Sequence, residues 1–95
     1  MRLRDMRGLG PKTESILKEI GINSPEELRA LGAMRTFLRL KAHQGKRPSL
    51  AFLYALVGAI EDRDWLEVAR DDRRRLLVEL DGIESMESLW KETSG

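Results

Sequence analysis

The sequence predicts an all-α fold, in which a single small domain of five or six helices packs around one central apolar helix. Three observations lead to this prediction. Leu, Ala, Glu, Arg and Lys dominate the composition, which favours helices over strands. Apolar residues recur at helical spacing along most of the chain. One uncharged apolar run, Leu50 to Ile60, is long enough for a core helix, and 95 residues suit one domain.

The central helix is predicted over Leu50 to Ile60, with Ser49 as its N-cap. Its apolar residues surround the whole circumference, which is typical of a helix buried on all sides. A membrane span needs about 20 such residues, so we predict no membrane contact. Gly58 costs about 1 kcal/mol relative to Ala inside a helix, and a close crossing with another helix would explain it.

Glycine, proline and capping residues mark the helices that precede the central one. Ser24 is the predicted N-cap of a short helix, and Glu27 completes a Ser-x-x-Glu capping box with it. We predict four elements here: a brief helix in Met1 to Arg7, a second from Pro11 to Ile20 closed by Gly21, a third from Pro25 to Leu31 ended by Gly32, and a fourth from Ala33 to Ala42.

The C-terminal part is predicted to hold one further helix and a separate tail. Trp65 follows an acidic break and is predicted to lie in the core, and a helix from Asp71 to Leu80 is predicted to end before Gly82. The domain is therefore predicted to span 1–82. Residues 83–95 are predicted to be a tail with a short docking helix, in which Trp90 is a candidate for contact with a partner chain.

A tight turn near the start of the chain is the candidate functional site. Its Gly-x-Gly sequence opens directly onto a helix, whose first N–H groups have no partner within the helix and suit a phosphate. The predicted nucleic-acid-binding residues are Arg7, Gly8, Leu9, Gly10, Lys12 and Thr13, through the amides of Leu9, Gly10, Lys12 and Thr13, the Thr13 hydroxyl and the Lys12 ammonium. The alternative is that the turn only joins two helices and its glycines serve geometry alone.

Charge is divided unevenly along the chain. Residues 1–50 carry 11 Lys and Arg against 5 Asp and Glu, whereas residues 51–95 carry 6 against 11. A basic half and an acidic half are compatible with an anionic ligand such as the DNA phosphate backbone at one end and a protein partner at the other. The alternative is an ordinary solvated helix surface.

The residues that support catalysis or metal binding are scarce. The chain has no cysteine, which permits a reducing cytoplasm, and we predict a cytoplasmic protein. His43 is the single histidine, and the acids at Glu61, Asp62 and Asp64 lack the glycine and distal Glu of a calcium loop. We therefore predict no enzyme, no cofactor and no metal, while the oligomeric state stays open.

The order of these motifs resembles the C-terminal domain of TfoX (Sxy), the bacterial regulator of natural competence. The resemblance covers residues 3–80 and is carried by the segments Leu3 to Glu14, Leu17 to Ile22, Glu26 to Ala33, Arg39 to Ala42, Ser49-Leu50, Leu53 to Leu56, Gly58-Ala59, Trp65 and Leu76-Leu77. It implies an all-α domain with helix-hairpin-helix character and no catalytic residues. Full-length members also carry an α/β N-terminal domain. The resemblance therefore implies that a separate N-terminal TfoX domain is a candidate partner. A looser likeness, over Leu9 to Leu31, is to the C-terminal domain of the RNA polymerase α subunit.

Overall fold

The structure is a computed structural model that describes the backbone of residues 1–94 and the side chains of residues 1–90. Within that part of the chain all regular structure is helical, so the predicted all-α fold is confirmed. The chain begins with a 3-10 turn, Leu3–Asp5, and continues with α1 (Pro11–Glu19), α2 (Pro25–Leu31), α3 (Ala33–Gln44), α4 (Leu50–Glu61), α5 (Trp65–Asp71) and α6 (Arg73–Ser94).

Helix α4 lies at the centre of the fold, as predicted. It packs against α2, α3 and α5, and half of its residues are buried. Its N-cap is Ser49, whose hydroxyl accepts a hydrogen bond from the Phe52 N–H at 3.3 Å. The surrounding core is formed by one cluster of leucine, isoleucine, valine and aromatic side chains, among which Phe37, Leu53 and Leu56 are fully buried.

Local capping signals set the ends of α1 and α2 as predicted. At the end of α1, Gly21 adopts φ 86°, and its N–H and that of Ile22 donate to the carbonyls of Lys18 and Leu17, which is the Schellman pattern. At the start of α2, the Ser24 hydroxyl accepts from the Glu27 N–H at 3.1 Å. The Glu27 carboxylate accepts from the Asn23 N–H rather than from that of Ser24, so the capping box is shifted by one residue.

The N-terminal element is shorter than predicted. Leu3–Asp5 is a single 3-10 turn, not a helix over residues 1–7. Leu3 and Met6 are nevertheless both buried, so these apolar side chains reach the core without an α-helix. Because no α-helix precedes the Gly8 turn, the helix-hairpin-helix character of this unit stays a prediction.

The predicted burial of Trp65 is wrong. Its side chain is 40% exposed because an unpredicted helix, α5, begins at this residue. Asp64 is the N-cap of α5, and its carboxylate accepts from the Leu66 N–H at 2.9 Å. One turn further on, Val68 is fully buried and occupies the core position instead.

Gly58 is explained by the chain that returns after α4 rather than by the crossing of a distant helix. A Cβ at this position would lie 2.6 Å from the Arg63 carbonyl oxygen and 3.4 Å from the Trp65 nitrogen. The Arg63 N–H donates to the Gly58 carbonyl at 2.8 Å, which closes the turn between α4 and α5. Glycine therefore permits this tight exit from α4.

The predicted end of the last core helix at Gly82 is wrong, because α6 is continuous from Arg73 to Ser94. Gly82 lies inside α6 without a positive φ. Helix propensity alone favours a break there by only about 1 kcal/mol, and α6 has tertiary contacts on both sides of Gly82. Leu80 is fully buried before Gly82, and Glu84 after it pairs with Lys41 at 2.8 Å. The division into 1–82 and 83–95 as domain and tail stays a prediction.

Arg63 joins the end of the central helix to α5 and to the start of α6. Its guanidinium donates to both carboxylate oxygens of Asp72 at 2.8 and 3.2 Å, and it also binds Glu61 at 2.9 Å and Glu67 at 3.1 Å. Hydrogen bonds from Arg63 and Arg75 lower the pKa of the Asp72 carboxyl to about 2. This cluster fixes the start of α6 against the end of α4.

Candidate nucleic-acid interface

The predicted phosphate-binding segment forms the corner between the 3-10 turn and α1. Gly8 adopts φ 80°, a left-handed conformation that favours glycine. Leu9 turns inward and is buried, and its N–H donates to the Met6 carbonyl at 3.1 Å. This amide is therefore used within the corner, which removes it from the predicted phosphate donors.

The first turn of α1 presents backbone N–H groups without a protein acceptor. Gly10 is the N-cap, with an extended backbone at φ −127° and ψ −176°, and it has no side chain to cap the helix. Among the described residues, the N–H groups of Gly10, Lys12 and Thr13 have no acceptor. Since α1 is nine residues long, its dipole adds a partial positive charge at this end. The corner can accept an anion.

Lys12 lies in the first turn of α1 itself, and its side chain is exposed. Five basic residues lie between Met1 and Ile20, and four of them are engaged within the described part of the chain. Arg2 pairs with Asp5, Arg4 and Lys18 pair with Glu14, and Arg7 binds a carbonyl. Lys12 has no such partner there. The positive charge available to a ligand at this corner is therefore centred on Lys12, with the half-buried Thr13 beside it.

Arg7 connects the corner to the far end of the central helix. Its Nη1 donates to the backbone oxygen of Asp62 at 3.3 Å, and Asp62 is the C-cap of α4, with φ 55°. The Arg7 side chain stays exposed. This contact fixes the corner relative to the C-terminal end of the core helix α4.

Glu14 stabilises the corner through contacts with Arg4. Its side chain is 4% exposed, and its carboxylate accepts from Arg4 Nε at 2.8 Å and from the Arg4 N–H at 3.2 Å. Arg4 Nη2 completes the ion pair at 2.8 Å from Oε1. Burial alone raises the pKa of this carboxyl, but hydrogen bonds from Arg4 outweigh burial and the pKa is lowered. The pair ties the 3-10 turn to the first turn of α1.

Sequence reasoning missed the role of Glu14. As an acid in the first turn of a helix it has an ordinary explanation, favourable interaction with the helix dipole. Its position, three residues before the buried Leu17, was the available signal, since residues three apart share a helix face. Nothing in the sequence indicates that its partner is Arg4, ten residues earlier.

The other singled-out residues lie away from this corner in the sequence and serve local structure. His43 is in the last turn of α3, with Nε2 3.9 Å from a Glu19 oxygen. Asp62 is the C-cap of α4, and Asp64 is the N-cap of α5. Within residues whose side chains are described, no group of three or more His, Cys, Asp or Glu is arranged to hold a metal ion.

A search of the described helices for a segment long and apolar enough to cross a membrane finds none.

These features define a small all-α domain whose candidate site consists of backbone amides and one lysine. The sequence profile of the TfoX C-terminal domain matches residues 1–80, and the chain belongs to this family, which is regulatory and has no known catalytic activity. The fold is similar to the crystal structure of an uncharacterized protein from Listeria monocytogenes, with a TM-score of 0.70 and 26% identity over 83% of this chain and 86% of that one. A search of curated proteins finds no match.

Proposed function

We propose that this domain is a non-enzymatic regulatory module that contacts the DNA phosphate backbone through the first turn of α1. One observation carries the proposal: the N–H groups of Gly10, Lys12 and Thr13 have no acceptor among the described residues, and the Lys12 ammonium beside them has no acidic partner there. Family membership supports a regulatory role, since the resemblance to the competence regulator implies a function in the regulation of transcription.

The chemistry of the corner suits a phosphate rather than a base. Backbone amides and a lysine hold phosphate oxygens and position a protein on the duplex, but they carry no sequence information. A site with one unpaired lysine neutralises few phosphates, so its affinity is low and falls with added salt. We therefore expect weak binding without sequence preference.

The proposal is tested by titrating a labelled DNA duplex with the domain at about 50 mM and about 200 mM salt. The sharpest variant is Gly10→Asp. An aspartate at this N-cap accepts hydrogen bonds from the first-turn amides and occupies the phosphate position. A Cβ at Gly10 meets no atom within 4 Å, so the variant is expected to keep or raise its melting temperature while it loses DNA binding.

Two further variants complete the experiment. Lys12→Gln is expected to weaken binding and to reduce the slope of log affinity against log salt by about one. Arg29→Gln removes an exposed arginine from α2 and serves as the matched control, with binding expected to equal that of the wild type. The proposal fails if the wild type shows no salt-sensitive binding, or if Gly10→Asp and Lys12→Gln bind as well as the wild type.

A second candidate is a protein-interaction domain with a purely structural corner. It is favoured by the buried Leu9, whose amide is used within the corner, and by the exposed apolar side chains of α6, which include Met86 and Trp90. The DNA titration separates the two candidates. If the corner is purely structural, Lys12→Gln does not change the affinity of the domain for DNA.

A further inference from the structure

The middle of the chain has basic residues but no acidic ones. Between Glu27 and Glu61 the sequence has six Lys and Arg and no Asp or Glu. Three of the six lie close together in the sequence, in the last turn of α3 and in the loop to α4: Lys41, Lys46 and Arg47, which we call the α3–α4 cations. Positive charge concentrated in a short segment attracts anions and raises their local concentration.

The anions that lie against these cations belong to α6. Lys41 Nζ is 2.8 Å from Glu84 Oε2 and 3.6 Å from Glu87 Oε2. Arg47 Nη2 lies 3.5 Å from the other Glu84 oxygen, Oε1, so one carboxylate is held between two cations. Lysine and arginine bind carboxylate and phosphate oxygens by the same charge-assisted hydrogen bonds. The seated Glu84 carboxylate therefore indicates that the α3–α4 cations can hold an oxyanion.

The contact between Lys41 and Glu84 is partly shielded from water. The two side chains are 27% and 26% exposed, so salt screens this pair less than a pair at the open surface. The hydrogen bond to Glu84 raises the pKa of the Lys41 ammonium, which therefore stays charged. Lys46 differs, because it is exposed and has no acidic partner in the described part of the chain. Two of the α3–α4 cations are thus paired with α6, and one is open.

We propose that the α3–α4 cations form a second contact surface for the DNA phosphate backbone, and that Glu84 and Glu87 of α6 occupy it as an autoinhibitory contact. From Leu80 to Trp90, α6 has three acids and no Lys or Arg, so its carboxylates stand where the phosphates of a DNA strand would lie. DNA binds here when its phosphates displace the two carboxylates, and the open lysine of the three contributes a further contact.

This surface is separate from the first turn of α1. The corner at the start of α1 lies beside the C-terminal end of α4, where Arg7 binds the backbone oxygen of Asp62. The α3–α4 cations precede the opposite end of α4, and the two ends of a 12-residue helix are about 18 Å apart. The inference therefore rests on the proposed function for the class of ligand, DNA, and not for the site.

The experiment titrates a labelled DNA duplex with the whole domain at several salt concentrations between about 50 and about 200 mM. The release variant combines Glu84→Gln with Glu87→Gln, which keeps the size of both side chains and removes their charge. We expect it to bind DNA about fivefold or more tightly than the wild type at the lowest salt, and the slope of log affinity against log salt to steepen by about one to two. Glu84→Gln alone, the milder change, is expected to give part of this gain.

Asp81→Asn combined with Glu26→Gln is the matched control for the release variant. It removes the same two negative charges from exposed positions on α6 and α2, which are not those paired with the α3–α4 cations. The DNA affinity is expected to change by less than about twofold, because exposed charges at a distance are screened. Melting temperatures check that each variant is folded at the temperature of the titration.

A second set of substitutions assigns the gain in affinity to the paired cations. Adding Lys41→Gln and Arg47→Gln to the release variant is expected to return its DNA affinity to that of the wild type or below. Adding Arg29→Gln and Arg74→Gln instead removes the same positive charge from exposed positions, and most of the gain is expected to remain.

Two outcomes overturn the inference. The first is a release variant that binds DNA no more tightly than the Asp81→Asn, Glu26→Gln control. The second is a gain that persists after Lys41 and Arg47 are replaced. Failure of the α1 site is separable from both. If that site does not bind DNA, Lys12→Gln leaves the affinity of the wild type and of the release variant unchanged, while the gain of the release variant remains.

Discussion

Gly58 and Gly82 both lie inside α-helices, but their surroundings are opposite. The space that a Cβ would fill at Gly58 is taken by the backbone of Arg63, whereas at Gly82 no atom lies within 4 Å. The sequence predicts a crossing with another helix at Gly58, and it places Gly82 after the end of a helix. Neither environment was predicted correctly, because one depends on where the chain returns after α4 and the other on the continuation of α6.

The structure predicts that Gly58→Ala destabilises the domain. The new methyl group would meet the Arg63 carbonyl at 2.6 Å, and a backbone atom in a hydrogen-bonded turn does not move cheaply. We expect a loss of about 1–3 kcal/mol in the free energy of unfolding, as for other overpacked sites, measured by urea denaturation. An unchanged or increased stability would contradict the close approach.

At the scale of elements, the helices with local end signals are the ones that the sequence predicts well. The bounds of α2 follow from Ser24 and Gly32, and α4 follows from Ser49 and its apolar run. Helix α5 was missed because, unlike the equally short α2, it has no proline at its start and no glycine at its end, and its core contact rests on Val68. Helix α6 was cut short because Gly82 resembles a C-cap, while the pairing of Glu84 with Lys41 is a tertiary contact without local signature.

Gly82→Ala is the counterpart of the Gly58 substitution, and the expected effect has the opposite sign. Alanine has the higher helix propensity, and the site leaves room for a methyl group. We expect the free energy of unfolding to rise by about 0.5–1 kcal/mol, measured under the same conditions as for Gly58→Ala. A loss of stability would show that α6 is not a continuous helix at this point.

At the scale of the whole molecule, part of the uneven charge of the sequence is neutralised by ion pairs between the basic and the acidic half. Lys41 and Arg47 from the basic half both reach Glu84 of the acidic half, at 2.8 and 3.5 Å. The sequence predicts the asymmetry but not these pairs, since their partners are about 40 residues apart. At the candidate site, likewise, the sequence predicts the Gly-x-Gly corner. It does not predict the ion pair of Arg4 with Glu14 or the hydrogen bond of Arg7 to the Asp62 backbone oxygen.

The paired carboxylates predict a loss of stability in acid. The pKa of Asp72 is about 2 against an ordinary value of 3.8, and the pKa of Glu14 is lowered from 4.5. A group with a lowered folded-state pKa contributes stability above its unfolded pKa, and this contribution is lost as the pH falls through the folded value.

The free energy of unfolding is therefore expected to be constant above pH about 5 and to fall between about 5 and about 2. Asp72→Asn and Glu14→Gln each remove a titrating group, so each variant is expected to be less stable at neutral pH and to lose less on acidification than the wild type. Denaturant titrations at several pH values measure both quantities. Wild-type sensitivity to acid in both variants would contradict the assignment.

Contact between the first turn of α1 and the DNA backbone is tested most directly by following backbone amides by NMR while a short duplex is added at low salt. We expect the amide signals of Gly10, Lys12 and Thr13 to shift most, and these shifts to disappear at higher salt and in Gly10→Asp. Absence of shifts at these amides, or largest shifts elsewhere in the domain, would contradict DNA contact at this turn.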